Sequence, residues 1–165
     1  MNERTERALY VILTIIAWSY VVVRAWFVPM VHDECASVLW YVQPGEWLPH
    51  EAHLDTNNHL TNSAVGVLSA ELFGVHAFAV RIGSVLSFLA YAWGCWLIGR
   101  RVKDAVVRWC LWPALLLIPF VLDFFSMFRG YAMEMAFWVL GLEAMLRFAA
   151  GGTTRQLVAA LLTQG

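Results

Sequence analysis

From Ala8 to Val28 the chain runs almost without polar side chains, then turns abruptly to His32-Asp33-Glu34. A helix needs about 20 mostly apolar residues to cross a bilayer, and this run supplies them. Composition carries the same message. Of 165 residues, 61% are hydrophobic and 14% charged, and the mean hydropathy is +0.63. Soluble domains hold about 45–50% apolar and roughly 25% charged residues. The chain reads as an integral membrane protein. It carries no basic stripe or nucleic-acid motif, so nucleic acid is excluded as a partner. Cys35, Cys95 and Cys110 form no CxxC and no metal-ligand spacing.

Four segments approach spanning length: Ala8–Val28, Ala79–Gly99, Ala105–Leu122 and Tyr131–Ala149. A fifth apolar stretch begins at Leu157–Leu162. Arg4 and Arg7 before the first run resemble a signal sequence, but Val28-Pro29-Met30 follows instead of a small-residue cleavage site, so the run reads as an uncleaved span. Leu60–Phe73 is shorter and polar-flecked, and reads as a helix lying in the interface. With four spans, Arg4, Arg7, Arg100, Arg101, Lys103, Arg108, Arg147 and Arg155 share one side, and only Arg24, Arg81 and Arg129 fall on the other. The positive-inside bias then makes the N-terminus cytoplasmic and puts residues 30–78 outside. The predicted fold is all-α: a polytopic transmembrane helix bundle with an extracytoplasmic loop containing short interfacial helices. Residues 1–165 form a single membrane domain. Within the loop, Cys35–Val42 is a second candidate interfacial helix, ended by the turn signal Gln43-Pro44-Gly45. Pro113 and Pro119 predict kinks in the third span.

All five histidines lie in the outer excursion, beside most candidates for chemistry. Charge near a bilayer is expensive and marks function. Asp33 and Glu34 can supply a general base at the membrane surface; alternatively Asp33 caps a helix over Glu34–Val42. Arg24, Arg81 and Arg129 can hold phosphate oxygens bidentately, or snorkel and pair with Asp33, Glu71, Asp123 or Glu134. Tyr131 orients Arg129 or belongs to the interfacial aromatic belt. Asn57, Asn58, His59 and Asn62 precede and open an apolar helix; their amides suit sugar hydroxyls, and helix capping by Asn58 is the other reading. His50, His53, Asp55 and His59 invite a metal, yet there is no HExxH and Pro49 points to a loop, so no metal or other cofactor is assigned.

The order of these features resembles the N-terminal part of the GT-C superfamily of membrane glycosyltransferases. The resemblance is to the bacterial branch of protein mannosyltransferases and the lipid A aminoarabinose transferase. It rests on HDECASVLW after the first span, DTNNHLTNSAVGVLSAELFG, FAVRIGSVLSFLAYAWGCWLIGRRV and FSMFRGYAMEMAFWVL. It implies sugar transfer from a polyprenyl-phosphate-linked donor to a lipid, glycan or protein acceptor, outside a bacterial inner membrane and among its lipids. It also implies a catalytic role for Asp33 and, less directly, Glu34; Asn58, His59, Arg81, Arg129 and Tyr131 stand as the substrate-binding candidates by their own chemistry. Many relatives carry Lys-Pro-Pro where this chain reads Asn57-Asn58-His59, so the donor-phosphate lysine has no counterpart here. Family members are longer, which makes 1–165 the N-terminal portion of such a domain. The alternative function is a non-catalytic membrane subunit, or transporter fragment, that binds a lipid-linked glycan.

Overall fold

The computed structural model describes residues 2–55 and 58–162. Asn57, one of the candidate polar cluster, lies outside them. Every regular element among the described residues is helical: α1 (Glu3–Phe27), α2 (His32–Ser37) running into one π-helical turn (Val38–Val42), α3 (Leu60–Phe73), α4 (Ala77–Gly99), α5 (Ala105–Leu116), α6 (Pro119–Phe125), α7 (Tyr131–Ala149) and α8 (Thr154–Leu162).

α1 starts where the Asn2 side chain accepts the Arg4 N–H at 3.1 Å, and stops before Pro29. Its apolar surface is divided. Tyr10, Ala17, Val21 and Ala25 are buried, while Ile12, Ile15, Ile16 and Val23 are exposed. The small buried residues let α4 approach closely. Two side chains bind its backbone: Tyr10 Oη donates to the Ala92 carbonyl at 2.6 Å, and Trp18 Nε1 to the Val85 carbonyl at 3.1 Å. α4 is the central element, packed against α1, α3, α5 and α7. The main core fills the space between them with Val85, Phe88, Tyr91, Trp112, Leu116, Phe125 and Ala136.

The predicted third span, Ala105–Leu122, is two helices. Asp104 caps α5 by accepting from Val107 N–H at 2.9 Å, and α6 departs at 50°. The break falls at Leu117-Ile118 because Pro119 offers no N–H and disfavours a helical residue before it; Ile118 is extended. Pro113 sits inside α5 without ending it. α1 and α4 are long and apolar enough to cross a membrane, and the bent α5–α6 pair would be a third span if taken together. α7 has the predicted bounds, but it carries Glu134, Glu143 and Arg147 and is not among those candidates.

At the end of the bundle holding the N-terminus of α1, acids and arginines interleave. Glu6 is buried and meets Arg108 at 2.6 Å; Glu143 is buried and meets Arg101 at 2.8 Å and Arg147 at 2.7 Å. At the opposite end, α2, α3, the start of α4 and residues 126–130 surround a smaller core of Val38, Val42, Val80 and Phe128. α3 is about 21 Å long by helix rise, shorter than the ~30 Å hydrocarbon layer. It ends at Gly74, whose φ of +84° favours glycine.

Candidate functional site

The site grows from α2. Consecutive helical residues point about 100° apart, so Asp33 and Glu34 face different surroundings. Glu34 turns inward and is fully buried. Arg81, buried on α4, grips it bidentately: Nε donates to Oε1 at 2.8 Å and Nη2 to Oε2 at 2.6 Å. The remaining Arg81 donors reach the end of α1. Nη1 donates to the Ala25 and Val28 carbonyls at 2.8 and 2.7 Å, and Nη2 to the Pro29 carbonyl at 3.2 Å. These include carbonyls that a helix C-terminus leaves unsatisfied. Glu34 also accepts the Val31 N–H at 3.0 Å and the Phe128 N–H at 2.6 Å.

This arrangement corrects two sequence-based roles. Glu34 as a second catalytic carboxylate, and Arg81 as a substrate arginine, both require side chains that a ligand can reach. All five Arg81 donors and both Glu34 oxygens are occupied inside the protein. The pair instead joins α1, α2, α4 and the 126–130 segment at one point. The capping role for Asp33 is corrected too. The helix begins at His32, so Asp33 already lies within it.

Asp33 faces outward, its side chain about half exposed, and forms an ion pair with Arg129. The Arg129 hydrogen bond, followed by that of His32 at 3.4 Å, holds the Asp33 carboxyl below the usual carboxylate range. Arg129 also lies over the Tyr131 ring, 5.3 Å from its centre. Tyr131 packs edge-on against His59 at 5.0 Å and Phe124 at 5.0 Å. His59 Nδ1 sits 2.8 Å from Glu134 Oε1. The residues of the FRGY segment divide the work. Phe128 packs into the small core against Gly66, and its N–H is held by Glu34. Arg129 reaches Asp33. Gly130 leaves room for the His59 ring, into which a Cβ would collide. Tyr131 supports Arg129.

A cleft of about 810 Å³ opens beside these groups. Arg129, Tyr131 and Glu134 form its polar end, and Phe120, Phe124 and Trp138 its aromatic wall. Phe120 and Trp138 are well exposed. A fixed cation at the end of an aromatic trough can hold an amphiphile with an anionic head, because guanidinium binds phosphate in a planar fork and the trough removes apolar surface from water.

Other candidates are engaged elsewhere. Arg24 pairs with Asp123 at 2.9 Å and donates to Ser126 Oγ at 3.1 Å. Asn58 ties the loop to α3: Nδ2 donates to the Trp47 carbonyl at 3.1 Å, and Oδ1 accepts from Ser63 Oγ at 3.0 Å. Asn58 thereby anchors the loop, and its capping role falls, since His59 precedes the first turn. His50 meets Glu51 at 3.1 Å and His53 lies against Trp40. Among the described residues no three His, Cys, Asp or Glu side chains gather as a metal site. Sequence reasoning missed Glu134 as the partner of His59, assigning it to an arginine; the two are 75 positions apart and no local spacing links them. The chain matches no protein-family model, no curated protein and no solved structure.

Proposed function

We propose that the chain belongs to a GT-C-type membrane glycosyltransferase. It transfers a sugar from a polyprenyl-phosphate-linked donor to an acceptor on the extracytoplasmic face of a bacterial inner membrane. In this reading the bundle is polytopic. α1, α4, the bent α5–α6 pair and α7 cross the membrane, the N-terminus is cytoplasmic, and residues 30–78 lie outside. The uneven division of lysine and arginine supports that orientation. Glu143, buried on α7 and paired with Arg101 and Arg147, supports α7 as a span, since a charged group at membrane depth needs such partners.

One observation carries the functional reading: Arg129, paired with Asp33, stands at the polar end of an aromatic cleft. A donor phosphate fits Arg129, and its isoprenoid tail fits the wall of Phe120, Phe124 and Trp138. A phosphate that binds Arg129 draws it away from Asp33, and a carboxylate freed from its cation becomes more basic. Asp33 then accepts the acceptor hydroxyl proton as the oxygen attacks the anomeric carbon and the lipid phosphate leaves, stabilised by Arg129. His59 braces two residues of that polar end, Glu134 and Tyr131.

The test is a transfer assay with purified protein in nanodiscs, using a panel of radiolabelled polyprenyl-phosphate sugars and membrane lipid acceptors. Product formation that Asp33→Asn lowers by about 10²–10⁴-fold supports the proposal. Saturable donor binding without any product supports the second reading, a subunit that holds a lipid-linked glycan. Absence of donor binding overturns both.

A further inference from the structure

A second groove lies between α1 and α4 at the end away from Asp33 and Arg129. Its volume is about 270 Å³, and its walls include Val11, Ile15, Leu89 and Trp93. These four are all substantially exposed, so the groove opens outward along both helices. Arg7 lies at its mouth. Four other arginines at this end are bound to acids. Arg100 meets Glu3 at 2.7 Å, Arg108 meets Glu6, and Arg101 and Arg147 meet Glu143. Arg7 has no acidic partner among the described residues, nor does Arg4, which stands three positions earlier on the same face of α1.

We propose that this groove seats one acyl chain of an anionic phospholipid, with Arg7 on the headgroup phosphate and Arg4 beside it. From Arg7 to Ile15 the helix rises about 12 Å, enough for the upper part of an acyl chain. The guanidinium forks onto phosphodiester oxygens. The charge complement selects the lipid: two adjacent unpaired arginines favour a net negative headgroup over a zwitterionic one. Each basic residue near an anionic surface contributes about 1 kcal/mol, or roughly fivefold in retention. The site is independent of the donor cleft and stands whether or not the protein transfers sugar.

The experiment is native mass spectrometry of the full chain released from nanodiscs of equal phosphatidylglycerol and phosphatidylcholine. Wild type should retain one phosphatidylglycerol at least fivefold over phosphatidylcholine. Arg7→Gln should lower that preference about fivefold, and Arg7→Lys should keep most of it. Val11→Trp, which fills the groove and leaves both arginines, should reduce retention of either lipid. Equal retention of the two lipids by wild type overturns the proposal, as does an unchanged preference in Arg7→Gln. A lipid-free dimer that Val11→Trp dissociates also overturns it, since a second copy then covers the groove.

Discussion

Two acid–arginine pairs begin at adjacent residues of α2 and meet opposite fates. Glu34–Arg81 is fully buried, and neighbouring backbone groups occupy the rest of both partners. Asp33–Arg129 is partly exposed, and its arginine opens onto a cleft. The same chemistry thus serves as a lock in one place and as an available charge in the other. What separates them is one step of helix rotation. The lock holds Phe128 through its N–H, and so sets where Arg129 begins. The backbone next to the exposed pair's arginine is thus held by the buried pair.

The comparison breaks most visibly if the buried pair is damaged. Glu34→Gln leaves Arg81 buried without a counter-charge, and breaking a buried pair costs about 3–5 kcal/mol. The expected outcome is a large loss of melting temperature, or no folded protein in detergent. A variant that melts like wild type would show that the lock is dispensable. Gly130→Ala comes next. Its new Cβ meets the His59 ring, and overpacking typically costs about 1–3 kcal/mol. Thermal unfolding should register it, and donor binding should weaken because His59 and Tyr131 shift together.

Asp33→Asn should change stability by less than about 1 kcal/mol, the usual range for a solvent-exposed pair. The smallest effect is that pair's pH dependence. The folded Asp33 carboxyl titrates below its unfolded value, so its contribution is complete above the ordinary carboxylate range near pH 4. It is lost as the pH falls through the lowered folded value. Stability curves of wild type and Asp33→Asn should therefore run parallel above pH 5 and converge below pH 4. Parallel curves down to pH 2 would contradict the pairing.

Helix lengths were legible because apolar runs and punctuation coincide. Leu60–Phe73 and Tyr131–Ala149 have the expected bounds, one closed by Gly74 and the other opened by Gly130. The α5–α6 break was half legible: Pro119 was visible, but whether a proline kinks a helix or ends it depends on packing. The site was legible as a set of polar residues clustered between and beside the apolar runs. Its division into lock and cleft was not. A cluster such as His32-Asp33-Glu34 takes its inward and outward faces from tertiary packing, here against Arg81 and Phe128, which lie far away in sequence. The His59–Glu134 contact is purely tertiary, so no periodicity could announce it.

The central claim is that Arg129 is available to a lipid phosphate while Asp33 competes for it. The direct measurement is the dissociation constant of polyprenyl phosphate for wild type, Arg129→Gln and Asp33→Asn in the same nanodiscs. Losing a charge-assisted contact of about 1.5–3 kcal/mol should weaken Arg129→Gln by roughly 10–150-fold. Asp33→Asn should bind as tightly as wild type or tighter, since the competing carboxylate is gone. Equal weakening in both variants, or unchanged binding in Arg129→Gln, would contradict the account.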